Sequence, residues 1–316
     1  MSEGIDTKNH PTVKALELHR VRLGLTDTAL ARRMKISSAA WSTLRSGTYG
    51  AQNPQRMLAI CEAQLRVMEE EAELGHAPLL TLTDQRAVIA AVSLALNDER
   101  DRSIVYLGET GAGKTTLALL LREKYGQACV CAEASELWRD SYFAALRSIA
   151  RALGLEVPAT ARAVQEAVLE DLGRSPRILV IDEAHYCGAA ALNLVKLILN
   201  ATRTRVVLLA IPKLWDQMCR TAAPEIAQLR NRTLAKVEMQ GVGADDCRAF
   251  LRAKLGGYEN LGAAEKQVVA AVCAAANRFG LLNTVRRICN EVNELEEGAS
   301  LEAITGAIHR VEALRS

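Results

Sequence analysis

The run Gly108-Glu109-Thr110-Gly111-Ala112-Gly113-Lys114-Thr115 has the composition of a loop that holds a polyphosphate. Its glycines let the chain curl so that successive backbone N–H groups face one anion. Lys114 then supplies a positive point charge suited to the outer phosphates, and Thr115 and Thr116 supply hydroxyls. A hydroxyl at Thr115 is a ligand for the Mg²⁺ that accompanies a nucleoside triphosphate. The apolar run 104–107 precedes the loop and helical residues follow from Lys114. The loop therefore joins a buried strand to a helix N-terminus, whose dipole also favours phosphate. ATP with Mg²⁺ is the expected ligand.

A second constellation is Ile178-Leu179-Val180-Ile181-Asp182-Glu183. Four apolar residues make a central strand, and two carboxylates emerge at its C-terminal end. In a parallel sheet that edge lies beside the phosphate loop. Asp182 is placed to hold the hydrated Mg²⁺, and Glu183 to orient and deprotonate an attacking water. One carboxylate would bind metal; two in succession point to hydrolysis. His185 could report on the γ-phosphate or cap the following helix, and the cap is the preferred expectation. The run 206–211 reads as a strand between the two just described, and it ends Ala210-Ile211-Pro212-Lys213. No Asn, Ser or Thr stands there to hold the attacking water, so unaided turnover is expected to be slow. Arg230 and Arg232 follow a helix begun near Pro224. A guanidinium there can reach the γ-phosphate of a neighbouring subunit as an arginine finger, with Arg232 preferred. Arg286 and Arg287, in Leu282-Asn283-Thr284-Val285-Arg286-Arg287, are candidates for touching the nucleotide from their own subunit.

These residues need a scaffold, and the chain is long enough to supply one. It has 316 residues, 49% of them hydrophobic and only 4% aromatic, so its cores are built from Ala, Leu, Val and Ile. That composition favours helix. The expected fold class is α/β: a P-loop ATPase domain with a parallel sheet, preceded by a small all-α helix-turn-helix domain and followed by a small all-α lid. The expected boundaries are 1–67, a linker over 68–78, 79–240 for the α/β domain and 241–316 for the lid. Apolar runs at 104–107, 128–132, 178–181 and 206–211 read as buried strands; 114–124, 136–153, 160–172 and 189–200 read as the helices between them. In the last segment Leu251, Leu255, Val268, Ala271, Val272 and Ala275 supply one apolar face, and Ile288, Val292 and Leu295 another.

The net charge is only +2, but it is unevenly spread. Residues 1–60 carry nine Lys/Arg against four Asp/Glu, and residues 61–77 carry five Glu against Arg66. A basic block followed by an acidic stretch suits a polyanion-binding module and a tether. Within the block, residues 27–46 fit a helix-turn-helix. Thr26 is the expected cap of a first helix with Leu30, Ala31 and Met34 on one face. Ile36 fills the turn, where Lys35 stands in a position often taken by glycine. Ser37 or Ser38 caps a second helix with Trp41 and Leu44 inward. Ser38, Ser42, Thr43 and Arg45 then face outward toward a DNA groove, while Arg32, Arg33, Lys35 and Arg45 reach phosphates. The outward face is small and weakly functionalised, so strong sequence specificity is not expected. No apolar run matches a membrane span or signal peptide, and a cytoplasmic location, in a bacterium or a phage host, is expected. The eight cysteines lack paired metal-ligand spacing and read as small buried residues.

In this order of parts the chain resembles the AAA+ transposition ATPases of the bacteriophage Mu B type, and more distantly the AAA+ regulators of Tn7-like transposons. The resemblance rests on Leu44-Arg45-Ser46-Gly47-Thr48-Tyr49-Gly50 with Asn53-Pro54-Gln55-Arg56, on residues 108–115, on Leu179-Val180-Ile181-Asp182-Glu183-Ala184-His185, and on Ala227-Gln228-Leu229-Arg230-Asn231-Arg232. It implies ATP-dependent, largely sequence-independent binding of double-stranded DNA and polymerisation into helical filaments with one ATP at each subunit junction. It also implies presentation of that DNA to a DDE-type transposase, which stimulates hydrolysis and release. The residues alone are also compatible with an ATP-gated helix-turn-helix transcriptional regulator or a replicative helicase loader.

Overall fold

A computed structural model describes residues 7–8, 10–22, 27–34, 36–49, 54–75, 79–220, 224–295 and 299–314. They fall into two compact units, Met1–Leu79 and Leu80–Ser316.

The first unit is helical: α1 (Pro11–Arg22), α2 (Asp27–Arg33), α3 (Ser38–Ser46) and α4 (Pro54–Gly75). Leu30 and Ala31 of α2, Met34 just beyond it, and Trp41 and Leu44 of α3 are buried together with Val13, Leu16, Leu58, Cys61 and Leu65. Trp41 is fully buried, as its spacing with Leu44 requires, and its indole N–H donates to Asp27 Oδ1 at 3.0 Å. Ser37 caps α3 by accepting the Ala40 N–H, and Gly47, at φ 78°, ends it in the left-handed conformation that favours glycine. The acidic stretch read as a linker over 68–78 is instead helical through Gly75. Glu69, Glu70, Glu71, Ala72, Glu73 and Leu74 are good helix formers and simply extend α4. Residues 76–78, like Thr26 and Lys35, lie outside the described residues.

The second unit opens with α5 (Thr83–Ala95) and continues β1 (Ser103–Leu107), α6 (Lys114–Tyr125), β2 (Cys129–Glu133), α7 (Tyr142–Ala152), α8 (Ala161–Arg174), β3 (Ile178–Asp182), α9 (Ala189–Ala201), β4 (Arg205–Ala210), α10 (Lys213–Arg220), α11 (Pro224–Asn231) and β5 (Thr233–Glu238). Helices α12 (Ala244–Lys254), α13 (Glu265–Phe279), α14 (Leu281–Glu294) and α15 (Leu301–Ala313) complete it. The described strands form one parallel sheet in the order β2-β3-β4-β1-β5, so β4 lies between the phosphate-loop strand and the Asp182 strand as its sequence position suggested. The helical run read over 136–153 is broken: a short 3₁₀ turn spans Glu136–Trp138, and α7 begins at Tyr142, where Ser141 accepts the Ala144 N–H.

Period-two alternation sorts the strand side chains onto two faces. Val105, Leu107, Leu179, Ile181, Val206 and Leu208 face one core with α7, α8, α9 and α11. Ile104, Tyr106, Val180, Val207 and Leu209 face the other, with α5 and α6. That second core runs without a break into Leu251, Val268, Val272, Val285, Ile288, Val292 and Ile304 of α12–α15. The C-terminal helices are thus packed onto the same apolar mass that carries the sheet. No described helix is long and apolar enough to cross a membrane.

Candidate nucleotide site

The loop 108–113 leaves β1 and is tied down along its whole length. The Gly108 N–H donates to Ala210 O at 2.9 Å, which anchors the loop to β4. Tyr106 sends its hydroxyl to Ala112 O at 3.0 Å; burial pushes this phenol well up, so it remains a donor. Gln85 of α5 is fully buried, accepts the Leu82 N–H and donates to Gly113 O, each at 3.0 Å. The start of α5 is in turn fixed to α12, because Asp246 Oδ1 accepts from both the Thr83 N–H and hydroxyl. From the C-terminal helices the Leu282 N–H donates to Gly111 O at 3.2 Å.

The glycines are required by space as well as by conformation. A Cβ on Gly108 would lie 2.4 Å from Ala112 Cβ, and one on Gly111, at φ 92°, would lie 2.5 Å from Gly280 O. The loop has no room for side chains where the backbone must approach a phosphate. Lys114, at the first turn of α6, is only 7% exposed; its Nζ donates to Gly108 O at 2.8 Å and Glu109 O at 3.1 Å. Burial holds this ammonium below the usual lysine range, against the opposing pull of Glu183, Asp182 and Glu109.

Thr115 Oγ1 donates to Asp182 Oδ2 at 3.0 Å. This contact joins the phosphate loop to the end of β3, 67 residues away, and places a hydroxyl and a carboxylate where one hexacoordinate cation can take both. The donor set fits Mg²⁺ with a triphosphate: a glycine cradle closed to Cβ atoms, one lysine, one threonine hydroxyl and one aspartate. Thr110 and Thr116 border the same loop. Glu183 follows in the left-handed region at φ 53°, with its N–H held by Asp182 Oδ1 at 2.8 Å. A non-glycine residue there stores on the order of 1–3 kcal/mol, the kind of strain found at functional turns. The His185 imidazole, expected to cap a helix, instead places Nδ1 3.2 Å from Glu183 Oε2.

The turn after Glu183 is wedged from the other side. Gly188 donates to Trp138 O at 3.4 Å, and a Cβ on it would fall 1.8 Å from Arg139 O, a backbone atom that cannot swing away. Gly188→Ala is expected to cost about 3 kcal/mol. That would lower the thermal midpoint by roughly 2–4 °C per kcal/mol in a calorimetric scan; an unchanged midpoint would mean the turn is loose.

Ile211 and Pro212 follow β4 and are half-buried, so no polar side chain stands at that strand end. Arg230 and Arg232 are half-buried at the end of α11, and the Arg232 carbonyl accepts the Ser103 N–H at 3.2 Å. That is the N-terminal edge of the sheet, opposite the phosphate loop, so Arg232 does not meet this chain's own site. Arg286 and Arg287 are exposed on α14, one turn beyond the Leu282 contact with the loop. Sequence reasoning missed Tyr106, Gln85, Asp246 and the 280–283 turn, which hold the loop through buried polar contacts rather than through a local motif.

In the first unit, Ser38 and Ser42 are exposed on α3. Thr43 is half-buried and back-bonds to Ala39 O and Ala40 O. Arg45 is held at 3.0 Å by Asp27 Oδ1, and Arg20 pairs with Glu17 beside it. Arg32 and Arg33 lie on α2, and Lys35 lies outside the described residues. Cys61, Cys129, Cys187, Cys247 and Cys289 are buried, and burial pushes Cys187, Cys247 and Cys289 up to about 12. Among the described residues no group of three or more His, Cys, Asp or Glu is arranged to hold a metal.

Residues 97–218 match the family described as AAA domain. No curated protein matches the chain significantly. Among solved structures, the Aeropyrum pernix Orc1 protein in complex with DNA is similar at 18% identity and a TM-score of 0.51, over 74% of this chain and 67% of that one. Cdc6p from Pyrobaculum aerophilum is similar at 16% identity and 0.48, over 69% of this chain, which spans 62% of that chain's length. Domain III of the Thermotoga maritima replication initiation protein DnaA is similar at 12% identity and 0.48, over 74% of this chain and 95% of that one. The likeness to Orc1 is one of fold: the chain has the AAA+ P-loop fold, a five-stranded parallel sheet flanked by helices.

Proposed function

We propose that this protein is a Mg²⁺-dependent ATPase that binds double-stranded DNA and uses ATP to assemble on it. The 3.0 Å hydrogen bond from Thr115 Oγ1 to Asp182 Oδ2 carries the proposal, because it brings the phosphate cradle and the carboxylate pair to one point. In this reading the backbone of residues 108–113 and the Lys114 ammonium bind the triphosphate, and Thr115 and Asp182 hold Mg²⁺. The cation supplies charge neutralisation at the phosphates. Glu183 takes a proton from the attacking water at its carboxylate. Arg286 and Arg287 approach the nucleotide from α14. Arg232, which faces away from its own chain's site, serves the site of a neighbouring copy. A finger supplied in trans makes ATP a ligand of the assembled state, so ATP stabilises assembly by mass action.

For DNA we assign the basic and small polar residues of the first unit: Arg32, Arg33, Lys35, Ser38, Ser42, Thr43 and Arg45. Arg45 must leave Asp27 to reach a phosphate. Such contacts are largely sequence-independent and salt-sensitive. The resemblance to Mu B-type ATPases extends the proposal to a helical filament that hands target DNA to a DDE transposase.

Arg232→Ala tests the assembly step. The variant is expected to bind ATP normally and to fail to sediment with plasmid DNA in the presence of ATP, where wild type pellets. Normal co-sedimentation would assign the finger to Arg230 or another residue.

A further inference from the structure

We propose that His185 is a positioning residue that holds the Glu183 carboxylate on the attacking water. The inference rests on the reading of Glu183 as the base. His185 Nδ1 lies 3.2 Å from Glu183 Oε2, yet this buried nitrogen has no aligned hydrogen bond among the described residues. The two atoms are within reach but not aligned as a hydrogen bond. Contacts of this kind tighten when substrate closes the site.

Nothing else described fixes the carboxylate. The left-handed φ of Glu183 sets where its side chain starts, and the short 3₁₀ turn Ala184–Tyr186 that follows brings the imidazole back over it. Among the described residues His185 is the basic side chain within 4.0 Å of that carboxylate. The ring itself is held: its side chain is 16% exposed and its centroid lies 4.3 Å from that of Tyr186. The charged groups around it are Glu183 and Asp182 on the β3 end, Lys114 at the phosphate loop and Lys213 at the start of α10. Burial, aided by the two lysines, lowers the imidazole below the usual histidine range, so the ring is neutral near pH 7. A neutral imidazole has one N–H, and the carboxylate opposite Nδ1 selects that nitrogen as the donor. His185 then restrains Glu183 without competing for the proton that Glu183 must accept.

Steady-state Mg·ATP hydrolysis by the full chain tests this. His185→Phe keeps the ring against Tyr186 and removes the donor; His185→Asn places an N–H near the Nδ1 position. In His185→Phe, kcat is expected to fall about 10–100-fold with KM for ATP within about twofold of wild type. His185→Asn is expected to recover to within about fivefold of wild type, and Glu183→Gln/His185→Phe to be no slower than Glu183→Gln. Wild-type kcat in His185→Phe, an Asn variant as slow as Phe, or a double variant slower than Glu183→Gln would each overturn the proposal. Should the Phe variant fail to fold, His185→Ala takes its place in the same comparisons. Wild-type turnover in Glu183→Gln would instead remove the base itself, and the inference with it.

Discussion

Lys114→Ala is expected to weaken ATP binding by at least about 100-fold, close to 2.7 kcal/mol, and to abolish ATP-dependent assembly with it. The magnitude follows from what Lys114 does. It is the one lysine at the phosphate loop, buried to 7% exposure, and its ammonium is already aimed into the loop through Gly108 O and Glu109 O. A charge-assisted hydrogen bond to phosphate in such a place is worth about 1.5–3 kcal/mol, and alanine removes it together with the only loop cation. The fold should survive, because the loop is also held by Tyr106, Gln85 and Leu282. Isothermal titration with Mg·ATP reads the result directly. Wild-type affinity in this variant would mean that the cradle does not bind the triphosphate.

Glu183→Gln is expected to leave ATP binding intact while lowering kcat by about 10²–10⁴-fold, the range removed with a general base. Glutamine keeps the shape and the hydrogen-bonding reach of the side chain, so the Asp182–Glu183 backbone contact at 2.8 Å persists. What is lost is the ability to accept a proton. If hydrolysis resets assembly, the variant should form DNA-bound assemblies that outlast those of wild type by a similar factor. Single-turnover hydrolysis and a dilution assay on the assembled complex measure the two effects separately. Rapid hydrolysis by this variant would place the base elsewhere.

The parts of this site that were legible in the sequence are those whose chemistry is local. The glycines, Lys114 and Thr115 stand in one octet, and Asp182 and Glu183 end an apolar run, so type and spacing suffice to read them. The central strands were equally plain, because strands buried on both faces are continuous runs of Val, Ile and Leu. The edge strand β5 was not: Thr-Leu-Ala-Lys-Val-Glu is half-exposed and mixed in character. Helix α5 escaped as well, and with it Gln85, whose only signal is being a fully buried amide. A Cβ on Gly111 would meet Gly280 and Asn283, at the start of α14 and far along the chain. Long-range contacts of that kind leave no mark on local periodicity. Arg45 shows the opposite problem. Read in isolation it is a free cation for phosphate, but Asp27, eighteen residues earlier, already holds it. Helix propensity also outweighed charge in 68–75, where an acidic run read as a tether continues α4.

His185 and Ile211 bear on the rate of the reaction from different sides. Ile211 leaves the end of β4 without a polar group for the attacking water. His185 supplies restraint to Glu183 from within the same turn. On the proposed reading, turnover is slow until a neighbouring copy contributes Arg232, and the base is preset by His185. The proposed ATPase would act as a timer on an assembled state rather than as a producer of ADP.

In the proposed function, ATP bound at this site gates assembly on DNA. Negative-stain microscopy of Glu183→Gln with plasmid DNA tests it most directly, with and without Mg·ATP. Continuous protein coating of the DNA with ATP, and bare DNA or isolated particles without it, is the expected result. Equal coating in both conditions, or isolated monomers in both, would mean that ATP does not gate assembly.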